Sequence, residues 1–178
     1  KLFGKPRSIN DPINEIHKNI ASSLQKSIEE IESTNSNLIS LIFVLEHLEN
    51  PNEIFTAFKK SQAKYLFVAV PLFSFSVFIE NAFPKVYPRQ LGGAHTNLYT
   101  NESLNFIAKK YRLKIVSEWW FGSDFSDLYR SMLASSNYKT NIYKKKLDKF
   151  LLKNINKFQK ILDESKSSSE VQIIFKKI

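Results

Sequence analysis

The sequence predicts an α/β fold with a mostly parallel sheet, an antiparallel strand at its carboxyl end and helices on its flanks. Three features lead there. Two nearly unbroken apolar runs of strand length, 38–45 and 65–70, would need cover on both faces, as strands inside a parallel sheet do. The stretch between them carries a helix start signal and inward apolar positions, which makes a β-α-β unit with parallel strands and a right-handed crossover. Two later apolar runs, 113–120 and 171–178, read as strands that pair beside each other.

Taken in order, residues 1–10 have no clear periodicity and read as an irregular lead-in. Asp11 then caps a helix, with Pro12 at its first position and Ile13, Ile16, Ile20, Leu24, Ile28 and Ile31 on a single apolar stripe. A polar turn at 33–37 leads into the central run, reading LISLIFVLEHLENP from Leu38 to Pro51. That run stops at Glu46 and His47. Asn50 follows as N-cap, with Pro51 at the first helical position and Glu53 closing a capping box. Ile54, Phe55 and Phe58 face inward, and the next strand, YLFVAV, ends at Pro71.

Both strands would end on one rim of the sheet, where open α/β sheets bind ligands. Glu46 and His47 would lie there together with 71–99, read as a long loop on the active face with Phe73, Phe75, Phe78, Pro84 and Pro88. Two of the four glycines, Gly92 and Gly93, are adjacent in that loop and would let backbone approach a ligand. His95 beside them is a candidate general base or substrate-orienting group, or else a hydrogen-bonded turn residue.

Thr100 caps the next helix, with Glu102 in its first turn, Leu104, Ile107, Ala108 and Tyr111 inward, and Lys109, Lys110 and Arg112 at its end. The strand from Leu113 ends in Trp119 and Trp120, which lead into Asp124 and Asp127. These are read either as aromatics on a sheet edge followed by capping aspartates or as acceptor contacts. Residues 138–164 form a long basic amphipathic helix, whose lysines read first as a solvated face and second as a phosphate or membrane contact.

Composition bounds the function. At 178 residues with 43% apolar content, one domain spanning 1–178 is expected. The absence of cysteine excludes disulfides and thiolate metal sites and suits the cytoplasm. No signal-peptide pattern opens the chain, and no apolar run reaches transmembrane length, since 66–79 is interrupted by Pro71 and serines. The net charge of +9 favours an anionic partner, but no nucleic-acid-binding motif accompanies it, so nucleic acid is not expected. His17, His47 and His95 show no ligand spacing, so no metal is expected.

Four segments together, LISLIFVLEHLENP, YLFVAVPLFSFSVFIENAFP, RQLGGAHTNLYTNESL and IVSEWWFGSDFSDLYR, resemble the carboxyl-terminal part of a class I S-adenosylmethionine-dependent methyltransferase. The likeness covers about residues 38–130 and leans toward a bacterial branch that modifies cell-surface glycans or small molecules. It implies a Rossmann-like partial methyltransferase fold, S-adenosylmethionine as cofactor and a small-molecule or glycan methyl acceptor. By the same resemblance Val44, Leu45, Glu46 and His47 line the cofactor site at the end of the fourth of seven strands. His95, Glu46 and His47 are the candidate catalytic groups. Tyr99, Trp120, Asp124 and Asp127 fall to the acceptor side.

The family's glycine-rich loop and the acidic residue that binds the cofactor ribose have no counterpart before Leu38. A truncated form, or one completed by a partner chain, is therefore expected. The alternative is a non-catalytic methyltransferase-like binding or assembly module, with a homodimer covering the open sheet edge.

Overall fold

A computed structural model describes residues 28–84, 86, 88–92, 95–135 and 142–178. The lead-in and most of the helix expected from Asp11 lie outside the described residues. Of that helix 28–33 is seen to be helical, with Ile28 and Ile31 packed on the core. Four strands, β1 (Leu38–Ile42), β2 (Tyr65–Pro71), β3 (Leu113–Phe121) and β4 (Glu170–Lys177), form one sheet in the order β1-β2-β4-β3. Further helices accompany them: α1 (Asn52–Lys60), α2 (Phe75–Ala82), α3 (Asn101–Lys110), α4 (Asp124–Ser135) and α5 (Ile142–Glu164).

β1 and β2 are parallel, in register from Leu38 opposite Tyr65 to Ile42 opposite Ala69. β4 runs antiparallel to both β2 and β3, so β1, β2 and β3 share one direction. This is the α/β arrangement that the sequence predicts, with three strands in one direction and an antiparallel strand from the carboxyl end of the chain. The carboxyl ends of β1, β2 and β3 and the amino end of β4 make one rim.

β2 and β4 hold the middle of the sheet and supply its driest residues, Leu66, Val68, Val70, Val171, Ile173 and Phe175. α1 closes one side with Ile54, Phe55 and Phe58, all buried as the sequence predicts. α3 adds Leu104 and Ala108 beneath a capping box in which the Thr100 hydroxyl accepts from the Ser103 N–H and the Ser103 hydroxyl accepts from the Thr100 N–H. Such burial stabilises by roughly 25 cal/mol per Å2 of apolar surface removed from water, so these interlocking side chains fix where the rim residues sit.

The structure corrects several of these expectations. The strand from Leu38 is not covered on both faces: among the described residues β1 stands at an edge of the sheet, and Leu38, Ile42 and Phe43 are 50%, 56% and 44% exposed. It also ends earlier than Leu45, because Phe43 takes the left-handed conformation (φ 53°) and throws Leu45–His47 into a single 3-10 turn. A β-carbon makes that conformation cost about 1–2 kcal/mol, and the turn it produces is what aims Glu46 inward.

The stretch 71–99 is not one long loop, since Phe75–Ala82 is helical with the Ser74 hydroxyl accepting from the Ser76 N–H. A short apolar helix beginning at serines shows too little periodicity to be read from sequence. Asp124–Ser135 is likewise a helix where only capping aspartates were anticipated.

α1 begins at Asn52, so Pro51 sits at the N-cap. The Asn50 amide donates to the Glu53 carboxylate rather than capping backbone.

Candidate active site

The end of β1 and the segment 95–99 are strapped together by backbone. The Glu46 carbonyl accepts from the N–H groups of Thr96 (2.7 Å) and Asn97 (3.1 Å) and from the Thr96 hydroxyl (3.0 Å). The Leu48 carbonyl accepts from the Thr96 hydroxyl (2.9 Å) and the Asn97 amide (2.6 Å). Tyr99 lies against the end of β2 through a bridge to Leu72, and its hydroxyl donates to the Leu45 carbonyl at 3.2 Å. Short polar side chains at 96 and 97 thus satisfy the carbonyls that a 3-10 turn leaves open. Two segments far apart in sequence become one mouth.

Within it, Glu46, His47 and His95 each present a ligand-type atom within 4.8 Å of the others. Glu46 is 1% exposed and its Oε2 has no hydrogen-bond partner. Burial raises its carboxyl above the ordinary carboxylate range. Its own backbone N–H and the neighbouring imidazoles of His47 and His95 oppose that rise in part. His47 Nε2 stands 3.8 Å from Glu46 Oε1, and the His47 and His95 rings meet at 5.0 Å, tilted by 52°. Burial, then the Glu46 carboxylate, push the Tyr99 phenol far up, so it remains a neutral donor at any physiological pH.

His95 Nδ1 lies 3.0 Å from the Gln90 carbonyl. A carbonyl only accepts, so Nδ1 carries the hydrogen when the ring is neutral and the lone pair is on Nε2. That is the tautomer of a general base. The segment before it is held by Glu80, whose carboxylate accepts the backbone N–H groups of Arg89 (2.8 Å), Gln90 (2.7 Å) and Leu91 (2.8 Å). Gly92 is required by close packing: a β-carbon there would stand 2.6 Å from the Pro88 carbonyl oxygen. The close approach Gly92 permits is therefore to its own chain. Gly93 lies outside the described residues.

The remaining predicted residues fall elsewhere. Val44 is partly buried against the core and Leu45 is inside it. Trp120, 7% exposed, lines a separate cavity along the same rim, while Trp119 is 60% exposed and stacks on Phe121.

Asp124 is fully buried and accepts five hydrogen bonds: from the hydroxyls of Ser74 and Ser76 and the Ser76 N–H at one oxygen, and from the Gln159 amide and the Ser169 N–H at the other. It joins α2, α4, α5 and the start of β4. Asp127 pairs with Arg89 at 2.6 Å and with Arg130 at 3.3 Å, and Arg89 continues to Glu170 at 3.1 Å. Both aspartates are engaged with protein groups, away from Glu46.

Sequence reading passed over Glu80, although a lone acid in an otherwise apolar stretch was a usable signal. It also passed over Thr96 and Asn97, which have none.

One carboxylate and two imidazoles form a donor set that divalent transition metals accept, and the fold assembles it from residues whose linear spacing shows nothing.

No family model and no curated protein matches this chain. Among solved structures, a SAM dependent methyltransferase from Archaeoglobus fulgidus is similar with a TM-score of 0.46 and 16% identity, over 85% of this chain and 64% of that one. The small RNA methyltransferase HEN1 is similar with a TM-score of 0.43 and 12% identity, over 83% of this chain and 15% of that one. This chain therefore spans less than two thirds of the length of either. These are likenesses of backbone arrangement, and they carry nothing about what this chain binds.

Proposed function

We propose that this chain takes part in S-adenosylmethionine-dependent methyl transfer to a small-molecule or glycan-type acceptor, with His95 as the general base. The observation that carries the reading is the convergence of Glu46, His47 and His95 at the carboxyl end of a strand with a parallel neighbour. The cofactor, when bound, supplies an electrophilic methyl group on a sulfonium. On this reading Glu46 and His47 stand at one wall of its site, with the orphaned Oε2 of Glu46 as the polar group left for a ligand, while Val44 and Leu45 back that wall from the core. A glycine-rich loop is not among the described residues.

The chain's own part in the reaction is to receive a proton and hold geometry. His95 Nε2 accepts the proton of an acceptor hydroxyl or ammonium, while the Gln90 carbonyl keeps Nδ1–H in place as the imidazolium forms. Glu46 steadies that cation from nearby, which is why its carboxylate form gains from both imidazoles. Tyr99, strapped to Leu45, fixes the distance between the β1 and β2 ends of the mouth.

Calorimetric titration with S-adenosylhomocysteine tests the reading. Saturable binding that His95→Gln leaves intact, with methyl transfer lost, supports it. No binding by the full chain sinks it.

A second reading has an observation of its own. β1 is an edge strand with three exposed apolar residues, Leu38, Ile42 and Phe43. A non-catalytic assembly module, dimerising through that edge, would hide them. Light scattering across a concentration series separates the two: a monomer at every concentration argues against the module.

A further inference from the structure

A cavity of about 520 Å3 opens on the same rim, beyond Tyr99 and apart from the Glu46 cluster. Its walls are the end of β2, the start of α2, Trp120 at the end of β3 and the turn before β4. Phe73 and Phe78 form an aromatic lip, 50% and 60% exposed, with their rings edge to face at 5.9 Å and 86°. Exposed aromatics beside a cavity are costly to leave wet and are the usual lining of small-molecule sites.

Two polar groups in the wall are unfulfilled. Trp120 is 7% exposed and Ser168 fully buried, and neither Trp120 Nε1 nor Ser168 Oγ has a hydrogen-bond partner. Leaving a buried donor without a partner is costly, so such pairs call for an explanation. The indole N–H can only donate, and the serine hydroxyl turns freely about one bond to donate as well. Lys166 adds a third donor: its ammonium pairs with Glu118, sits 5.7 Å from the Trp120 ring, and has N–H groups to spare. Thr100, Asn101 and the solvent-exposed Glu102 at the start of α3 complete the wall, whose two unpartnered buried side-chain groups, Trp120 Nε1 and Ser168 Oγ, are both able to donate.

We propose that this cavity binds a flat aromatic acid, its ring against Phe73, Phe78 and Trp120 and its anionic oxygen accepting from Trp120 Nε1–H and Ser168 Oγ–H in the field of Lys166. That such an acid is also the methyl acceptor rests on the function proposed above; its binding does not.

The test is calorimetric titration of the full chain with 1-naphthoate, alongside the neutral 1-naphthalenemethanol and the non-aromatic cyclohexanecarboxylate. One-to-one binding of 1-naphthoate is expected, with both comparison compounds weaker by about tenfold or more, the alcohol for want of a charged acceptor and the cyclohexane acid for want of a flat aromatic ring. Trp120→Phe keeps the ring and loses the donor, and Ser168→Ala loses the hydroxyl; each should weaken binding about tenfold, while Trp119→Phe leaves it unchanged. Phe78→Ser, at an exposed position, keeps the test valid should a buried variant fail to fold, and it too should weaken binding. No saturable binding of 1-naphthoate, or binding indifferent to all three cavity variants, overturns the proposal. Naphthoate binding without S-adenosylhomocysteine binding would sink the methyltransferase reading alone, and the converse would sink this one alone.

Discussion

Replacing Asp124 should unfold much of the rim, and the structure sets how far. Its two carboxylate oxygens accept five hydrogen bonds from Ser74, Ser76, Gln159 and Ser169 with no water-exposed surface of its own. Asp124→Asn keeps the shape but turns one oxygen into a donor. If that is the oxygen facing Gln159 and Ser169, the fixed Ser169 N–H and the Gln159 amide, whose Oε1 is held by the Phe125 N–H, are left facing an N–H. At about 1.5–3 kcal/mol for each hydrogen bond to a charged group, the loss is about 3 kcal/mol or more. Asp124→Ala should cost more still, on the order of 4–5 kcal/mol, where losses of that size mark a broken buried network. A domain of ordinary stability has only about 5–15 kcal/mol in all. Urea unfolding followed by circular dichroism reads the effect directly. Midpoints for both variants within about 1 kcal/mol of the parent would refute the reasoning that this carboxylate ties four elements together.

Other outcomes follow from single contacts. Burial holds the Glu46 carboxyl above its ordinary value of 4.5, so the folded chain binds its proton more tightly than the unfolded chain. Stability should therefore fall as pH rises from that value through the folded pKa, and Glu46→Gln should flatten the slope and leave the chain more stable than the parent at pH 7, read by thermal unfolding across pH. Gly122→Ala would set a β-carbon 2.5 Å from Asp124 Oδ2 and 2.4 Å from Ser169 Oγ, so a loss of about 2 kcal/mol is expected in the same urea assay. Glu80→Ala strips the acceptor from three backbone N–H groups at 89–91 and should speed amide exchange there and proteolysis near His95, with little change in the sheet. Tyr99→Phe removes one hydrogen bond to the Leu45 carbonyl and should cost about 1 kcal/mol.

The parts of the fold that announced themselves in the sequence are those whose residues answer to one local rule. The inward Ile54, Phe55 and Phe58, the Thr100 cap and the YLFVAV strand were readable because helix period, capping chemistry and apolar run each leave a mark without help from distant residues. β1 misled for the same reason. Its apolar run is that of a buried strand, yet sheet order, which no local pattern encodes, places it at the edge.

The mouth was legible in its ingredients, since Glu46, His47 and His95 stood out by type and by neighbouring turns. Its construction was not legible: the Thr96 and Asn97 straps and the Glu80 clamp join positions that share no periodicity. Asp124 shows the limit from the other side. An aspartate after a strand end reads as a ligand contact or a helix cap, and only the fold reveals that serines 74, 76 and 169 already surround it.

The most direct test of the shared mouth uses nuclear magnetic resonance of chain labelled with 15N-histidine. With three histidines in the sequence, each signal is assigned by a single His→Gln variant. Addition of S-adenosylhomocysteine should shift the ring signals of His47 and His95 together. Saturating ligand that moves neither, or moves only one of the two, would contradict the account.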